Sequence, residues 1–165
     1  MLLGILSDTH NNLHTTRAAL ERFRAEGVRR LIHCGDITTG AVVMLFAGWD
    51  VTFVWGNVDR TRADVEAAAR MVGLPLPREL AILTVDGLPL AVTHGHDGQL
   101  EHLIATQEYR YILHGHTHQR RDERFGHTRV INPGALGGRR PQPRSVAILD
   151  PGNDDLRFLE IPDET

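Results

Sequence analysis

Leu2-Leu-Gly-Ile-Leu-Ser-Asp-Thr-His10 decides how the chain is read. A short apolar run ends abruptly in an acidic residue and a histidine, the pattern of a buried strand that delivers polar side chains to one edge of a sheet. The motif returns along the chain. Arg30-Leu-Ile-His-Cys34 leads into Gly35-Asp36, and Asp50–Trp55 leads into Gly56-Asn57-Val58-Asp59. Leu88–Thr93 leads into His94-Gly95-His96, and Arg110–Leu113 into His114 and then Gly115-His116-Thr117-His118.

Between the first three runs lie helical signals. A helix is expected after Asn12, its candidate N-cap, with Leu13, Leu20 and Phe23 on one face and Gly27 beyond its end. Ala41–Ala47 and Thr61–Val72 read as two more helices, the second closed by Gly73-Leu-Pro-Leu-Pro77. This βαβ order implies a largely parallel sheet with right-handed crossovers. The second half is richer in strands. Glu79–Val85 and Leu88–Thr93 flank the hairpin signal Asp86-Gly87. Gln99–Glu108 is expected to be helical. Arg120–Phe125 pairs with Thr128–Ile131 around Gly126-His127, and Ser145–Leu149 with Asp154–Ile161 around Pro151-Gly152. Two sheets packed face to face, with helices outside, accommodate both halves in a single domain over residues 1–165.

Composition narrows the function classes. A chain of 165 residues, 41% hydrophobic, suffices for one full core. A net charge of −3 argues against a protein that coats nucleic acid. All 18 basic residues are Arg, as genomic base composition alone can dictate. A single cysteine, Cys34, excludes internal disulfides and cysteine-rich zinc sites, and reads as a small buried strand residue. Met1–Leu6 is too short and uncharged for a signal peptide, and no run has the length of a membrane span, so a soluble, cytoplasmic protein is expected.

The strand-end residues share one chemistry. Each alone reads as easily as a turn or cap residue. Five such segments bearing Asp, Asn and His indicate a metal site assembled from distant parts of the chain. Gly-His-x-His after a buried strand places two imidazoles within reach of one centre. A site rich in imidazole and free of thiolate suits two divalent ions, and such a pair suits phosphoryl chemistry. The sequence leaves open whether His94 or His96 is the ligand.

Asp8-x-His10, Gly35-Asp36, Gly56-Asn57-x-Asp59, His94 and Gly115-His116-x-His118 resemble, in order, the motifs of the calcineurin-like metallophosphoesterase superfamily. Asn132-Pro-Gly134 is similar to the small bacterial and archaeal phosphodiesterase branch, so the resemblance covers nearly the whole chain. It implies an α/β fold, a four-layer αββα sandwich of two mixed β-sheets flanked by helices. It also implies that Asp8, His10, Asp36 and His118 hold one metal, and that Asp36, Asn57, His94 and His116 hold the other. Asp36 would then bridge the two, with His94 chosen over His96. Two divalent ions against Asp8, Asp36 and a bridging hydroxide leave about one positive charge, which attracts a phosphate ester. The implied reaction is in-line attack of that hydroxide on the phosphorus of a small or nucleotide-like phosphodiester. Mn²⁺ is the foremost ion, with Ni, Fe, Co and Zn also compatible.

Val58 departs from the pattern: many relatives carry a second His there, thought to help the leaving group depart. His96 becomes the candidate general acid, beside Asn57 and Asp36 as candidate catalytic residues. Asp59 reads as a structural carboxylate, or one beside the ligands, rather than as a ligand, and His33 and His114 as satisfied core groups or groups behind the ligands. His14, His102 and His127 are expected at the surface. Arg139, Arg140 and Arg144 form a basic loop, read either as solvated or as recognising phosphate. The expected partner is a small phosphodiester, without stable nucleic-acid or membrane association, and a homo-oligomer is compatible with the family. Two other readings share the fold: a phosphomonoesterase, against which Val58 counts, and a non-catalytic binding scaffold, which would be expected to lose ligands. A double-strand-break repair nuclease lacks its Gly-Asn-His-Asp form, capping domain and basic surface here.

Overall fold

The computed structural model describes residues 1–163. Along the chain run β1 (Leu3–Leu6), α1 (Leu13–Ala25), β2 (Arg30–His33), α2 (Gly40–Met44), β3 (Asp50–Phe53) and α3 (Arg62–Met71). Then follow β4 (Ala81–Val85), β5 (Leu88–Val92), α4 (Gln99–Thr106), β6 (Tyr111–Leu113), β7 (Arg120–Phe125), β8 (Thr128–Pro133), β9 (Ser145–Asp150) and β10 (Asp155–Glu160). The expected elements are all present, with ends shifted by a few residues. The strand expected to run to Trp55 stops at Phe53, and Val54 makes only an isolated bridge to Arg78. The helix expected to reach Glu108 ends where Gln107 turns left-handed, φ 56°.

One sheet has the order β10-β9-β1-β2-β3 and the other β4-β5-β6-β8-β7. Within the first, β1, β2 and β3 are parallel and β9 runs antiparallel to β1. Within the second, β5, β6 and β8 are parallel, flanked by antiparallel β4 and β7. Side-chain alternation builds the layers. Leu3 and Ile5 of β1, Leu90 and Val92 of β5, and Tyr111 and Leu113 of β6 share one core between the sheets. Their neighbours point outward. Leu6 and Leu31 pack with Phe23, Val42, Val43, Val65 and Ala69 of α1, α2 and α3. On the far side Ala91, Ile112 and Val130 pack with Leu100 and Leu103 of α4. The result is the four-layer αββα sandwich with two mixed sheets.

Asn12 caps α1 through its side-chain oxygen, which accepts from Thr15 N–H at 3.1 Å. The outer edge strand β7 carries Arg120, Arg121, Asp122, Glu123 and Arg124, charges that discourage edge-to-edge pairing. Asp154, in the turn before β10, accepts from Arg110, Arg124, Arg129 and the Tyr111 hydroxyl, tying a hairpin of the first sheet to three strands or strand ends of the second. Burial and this carboxylate push the Tyr111 hydroxyl up to about 12.

Because β1, β2 and β3 are parallel, their carboxyl ends lie on one side, and β5 and β6 end likewise. Crevices outside such strand ends are where open α/β sheets bind ligands.

Candidate metal centre

Asp8 and His10 follow β1, Asp36 follows β2, and Asn57 follows β3. His94 follows β5, and His116 and His118 follow β6. The fold brings all seven together. Ligand atoms of Asp8, His10, Asp36 and His118 lie within 4.8 Å of one another. The second group meets around Asn57, whose Oδ1 is 3.0 Å from His94 Nε2 and 3.1 Å from His116 Nδ1. Asp36 lies between the groups, with Oδ2 3.2 Å from His94 Nε2 and 3.6 Å from His10 Nε2.

Each carboxylate is held by one oxygen and presents the other. Asp8 Oδ2 accepts from the Ser7 hydroxyl at 2.6 Å and from His116 N–H at 3.2 Å. Its Oδ1 is buried without a hydrogen-bond partner, yet His118, His10 and His94 Nε2 lie 3.2, 3.6 and 4.0 Å away. Asp36 Oδ1 accepts from Val58 N–H at 3.0 Å, leaving Oδ2 facing the imidazoles. His10 Nε2 and His118 Nε2 face each other at 3.1 Å, lone pair to lone pair when both are neutral there. Inward-facing lone pairs around an orphaned carboxylate oxygen are the donor set a divalent cation satisfies.

The outer nitrogens are fixed as metal-binding imidazoles require. His94 Nδ1–H donates to the Cys34 carbonyl at 2.8 Å, and His118 Nδ1–H donates to the Arg139 carbonyl. Both leave Nε2 for the centre. Protons and ions compete here. Without a cation, burial opposes charge on His94, but Asp36 and Asp8 outweigh it and raise its pKa. The Asp8 carboxylate close to its Nε2 likewise raises His118. Burial opposes ionisation of Asp8, but the imidazoles of His10 and His118 close to its carboxylate and the field of His94 drive its pKa far down.

The backbone is strained where it carries these residues. Asp8, His10, Asp36, His116 and His118 all have left-handed φ, between 43° and 72°. Glycines give the room. A side chain at Gly56 would overlap the Asp36 carboxylate, and one at Gly115 would overlap the Ser7 hydroxyl.

Asp59 and Asn132, both singled out in the sequence, make supporting contacts whose partners no local pattern identifies. Among the described residues the Asp59 carboxylate makes no hydrogen bond or ion pair with the seven side chains. It accepts the backbone N–H groups of Asp36 (3.0 Å), Thr38 (2.7 Å) and Gly56 (2.7 Å), bracing the loops that carry Asp36 and Asn57. Asn132, flagged with Pro133 and Gly134, donates to the Gly115 carbonyl and the Thr117 hydroxyl, pinning the loop of His116 and His118. His96 is exposed at the rim, its ring 5.5 Å from His94 and 6.2 Å from His116. Val58 is half-buried beside Asn57.

His33 and His114 are buried and lie outside the ligand set. His33 Nδ1 accepts from Gly35 N–H, so its Nε2–H faces the Thr9 hydroxyl. Burial is the main cause that lowers both from 6.5 to about 4. The unfolded chain takes up these protons below pH 6.5 and the folded chain only near 4. Their contribution to stability is therefore complete above 6.5 and is lost as pH falls from 6.5 to about 4. Each group contributes about 1.4 kcal/mol for every pH interval of one between its unfolded and folded values. NMR titration of the chelator-stripped protein should show the His33 and His114 rings staying neutral to about pH 4. A His33 resonance that titrates near 6.5 would overturn the assignment.

Comparison with known proteins gives the family. The profile of the calcineurin-like phosphoesterase superfamily domain matches residues 1–154. Phosphodiesterase MJ0936 of Methanocaldococcus jannaschii is 32% identical over 165 residues, covering 98% of this chain and 99% of that protein. Phosphodiesterase YfcE of Escherichia coli K12 is 27% identical over 179 residues, covering 100% of this chain and 95% of that protein. The solved structure of an archaeal phosphodiesterase superposes with a TM-score of 0.88 at 32% identity, over 97% of this chain and 99% of that one. Vps29 of Entamoeba histolytica, solved with Zn²⁺, shares the fold alone, with a TM-score of 0.70 at 15% identity over 98% of this chain and all of that one. Among the described residues no helix is long and apolar enough to cross a membrane. With a family match over most of its length and a relative of near-equal length at 32% identity, the chain belongs to the calcineurin-like phosphoesterase superfamily and is a phosphoric ester hydrolase.

Proposed function

We propose that this protein is a dinuclear-metal phosphodiesterase acting on small or nucleotide-like phosphodiesters. Asp8, His10, Asp36 and His118 would hold one ion, and Asp36, Asn57, His94 and His116 the other. The observation that carries this reading is the buried Asp8 Oδ1, without a hydrogen-bond partner and ringed by three imidazole nitrogens. When bound, two divalent ions supply an activated water as nucleophile and positive charge for the phosphoryl oxygens. The chain's own groups do the rest. Ser7, Cys34, Asp59, Asn132 and the Arg139 carbonyl hold the ligands in place before substrate arrives, so little reorganisation is needed during reaction. His96, exposed at the rim beside His94 and His116, is the imidazole placed to hand a proton to the departing alkoxide. Val58 offers no proton, so His96 stands alone in that role among the motif residues. Mn²⁺ is the proposed ion, since the donors are imidazole, carboxylate and amide oxygen without thiolate.

Two comparisons support the diester reading: the named phosphodiesterase relatives and their near-complete mutual coverage. The test is hydrolysis of bis(p-nitrophenyl) phosphate beside p-nitrophenyl phosphate, on chelator-stripped protein with and without Mn²⁺. Diester turnover should vanish on stripping, return with Mn²⁺ and exceed monoester turnover. A monoester preference would make this a phosphomonoesterase. No turnover of either, with two ions bound per chain, would point to a binding role.

A further inference from the structure

We propose that the depression beside the metal centre, lined by Gly138, Arg139, Arg140, Pro141, Gln142 and Pro143, binds a second phosphate of the substrate, gripped by Arg139. The proposal deepens the phosphodiesterase reading and rests on it. It makes the preferred substrate a diester that carries a further phosphate beyond the scissile one.

Two contacts attach this loop to the centre. His118 Nδ1–H donates to the Arg139 carbonyl. A side chain at Gly138 would come within 2.9 Å of His118 Cε1 and 3.1 Å of His10 Cδ2, so the backbone lies against both imidazoles. An ester held at His10 and His118 therefore has this loop as its neighbour on that side.

Charge distinguishes Arg139 from the other two arginines of the loop. Arg140 and Arg144 both reach Asp163 Oδ1, at 3.0 and 2.5 Å, and Arg144 also donates to the Leu136 carbonyl. Two guanidinium groups thus share one carboxylate. The exposed Arg139 guanidinium has no ion pair or hydrogen bond among the described residues, and Arg140 Nε is buried without an acceptor. The depression is open to solvent and holds about 690 Å³, room for a phosphate and its sugar. It has no aromatic lining on which a base could stack, and guanidinium forks match phosphate oxygens. The scissile diester group carries one negative charge, and a terminal phosphate adds nearly two more. Arg139 is a cation beside the centre without a partner among the described residues, and so can meet it.

The test compares a dithymidine phosphodiester with and without a terminal 5′-phosphate, on the Mn²⁺-loaded full chain. The wild type should favour the phosphorylated form. Arg139→Ala should lower the ratio of the two kcat/KM values by roughly tenfold or more, the worth of one charge-assisted contact, and Arg139→Lys should restore part of it. General effects on activity cancel in this ratio. Calorimetric binding of thymidine 3′,5′-bisphosphate against thymidine 5′-monophosphate gives a readout that needs no turnover. The bisphosphate preference should be present in the wild type and lost in Arg139→Ala. Unchanged ratios in both measurements, or equal losses for the two members of each pair, overturn the subsite. If the wild type cleaves neither diester but the binding preference follows Arg139, the subsite stands and the phosphodiesterase reading falls.

Discussion

Asp36→Asn is expected to lower diester turnover by about a thousandfold or more and to leave the purified chain holding at most one ion. Asp36 is the side chain offered to both ligand groups, with Oδ2 3.2 Å from His94 Nε2 and 3.6 Å from His10 Nε2. The substitution is isosteric. The amide oxygen can still accept the Val58 N–H, so the loop keeps its anchor while an NH₂ replaces the oxygen that faces the imidazoles. Of the two carboxylates that offset two divalent ions, one is gone, and a neutral amide does not bridge a pair of cations. Losses of this order follow when a fixed electrostatic element of a hydrolytic site is removed. Metal content by plasma emission and kcat on bis(p-nitrophenyl) phosphate are the measurements. Two ions per chain with near-wild-type kcat would refute the bridging role.

The largest effect on stability is expected from a residue outside the ligand set. Asp59→Ala removes the acceptor for three backbone N–H groups, those of Asp36, Thr38 and Gly56. Unsatisfied donors at buried positions cost about 1–3 kcal/mol each. A loss of roughly 3 kcal/mol or more is expected, lowering Tm by on the order of 10 °C. Burial raises the Asp59 pKa while the three donors oppose that change, so acceptor geometry rather than favourable charge is what it contributes. Asp59→Asn therefore separates the two contributions. With its oxygen in the place of Oδ2 it keeps the bonds from Asp36 and Gly56 and loses only that from Thr38, so it should recover most of the melting temperature. An alanine variant that melts with the wild type would refute the brace. Because the same three bonds set the loops of Asp36 and Asn57, diester turnover should fall with stability in the alanine variant.

The sequence made the strand ends legible because they combine two coarse signals: an apolar run of strand length and a polar residue after glycine. Those signals sufficed to bring Asp8, His10, Asp36, Asn57, His116 and His118, with His94 or His96, to strand ends, and the choice of His94 came from the family resemblance. What could not be read was set by long-range backbone contacts. His94 and His96 are equivalent in sequence. They differ in the fold because Gly95, at φ 96°, turns the chain after His94 has met the Cys34 carbonyl from β2's end. The antiparallel return of β9 onto β1 joins residues about 140 positions apart, and no local pattern encodes that. The three donors on Asp59 were invisible for the same reason: backbone N–H groups occur at nearly every position, and only the tertiary fold leaves these three needing an acceptor. The basic loop divided along a similar line. Asp163 lies 19 residues beyond Arg144, and only the folded chain shows that it pairs with Arg140 and Arg144 while Arg139 has no partner among the described residues.

The seven candidate ligands divide between the two sheets. Asp8, His10, Asp36 and Asn57 come from the first, and His94, His116 and His118 from the second. Each ligand group draws on both. A pair of ions bound there would be a removable rivet through the sandwich, and occupancy would add to the stability of the native state by mass action. A chain starved of its ion would be both inactive and easier to pry open, hence shorter-lived among proteases. Metal supply would set how much of this protein persists as well as how fast it turns over.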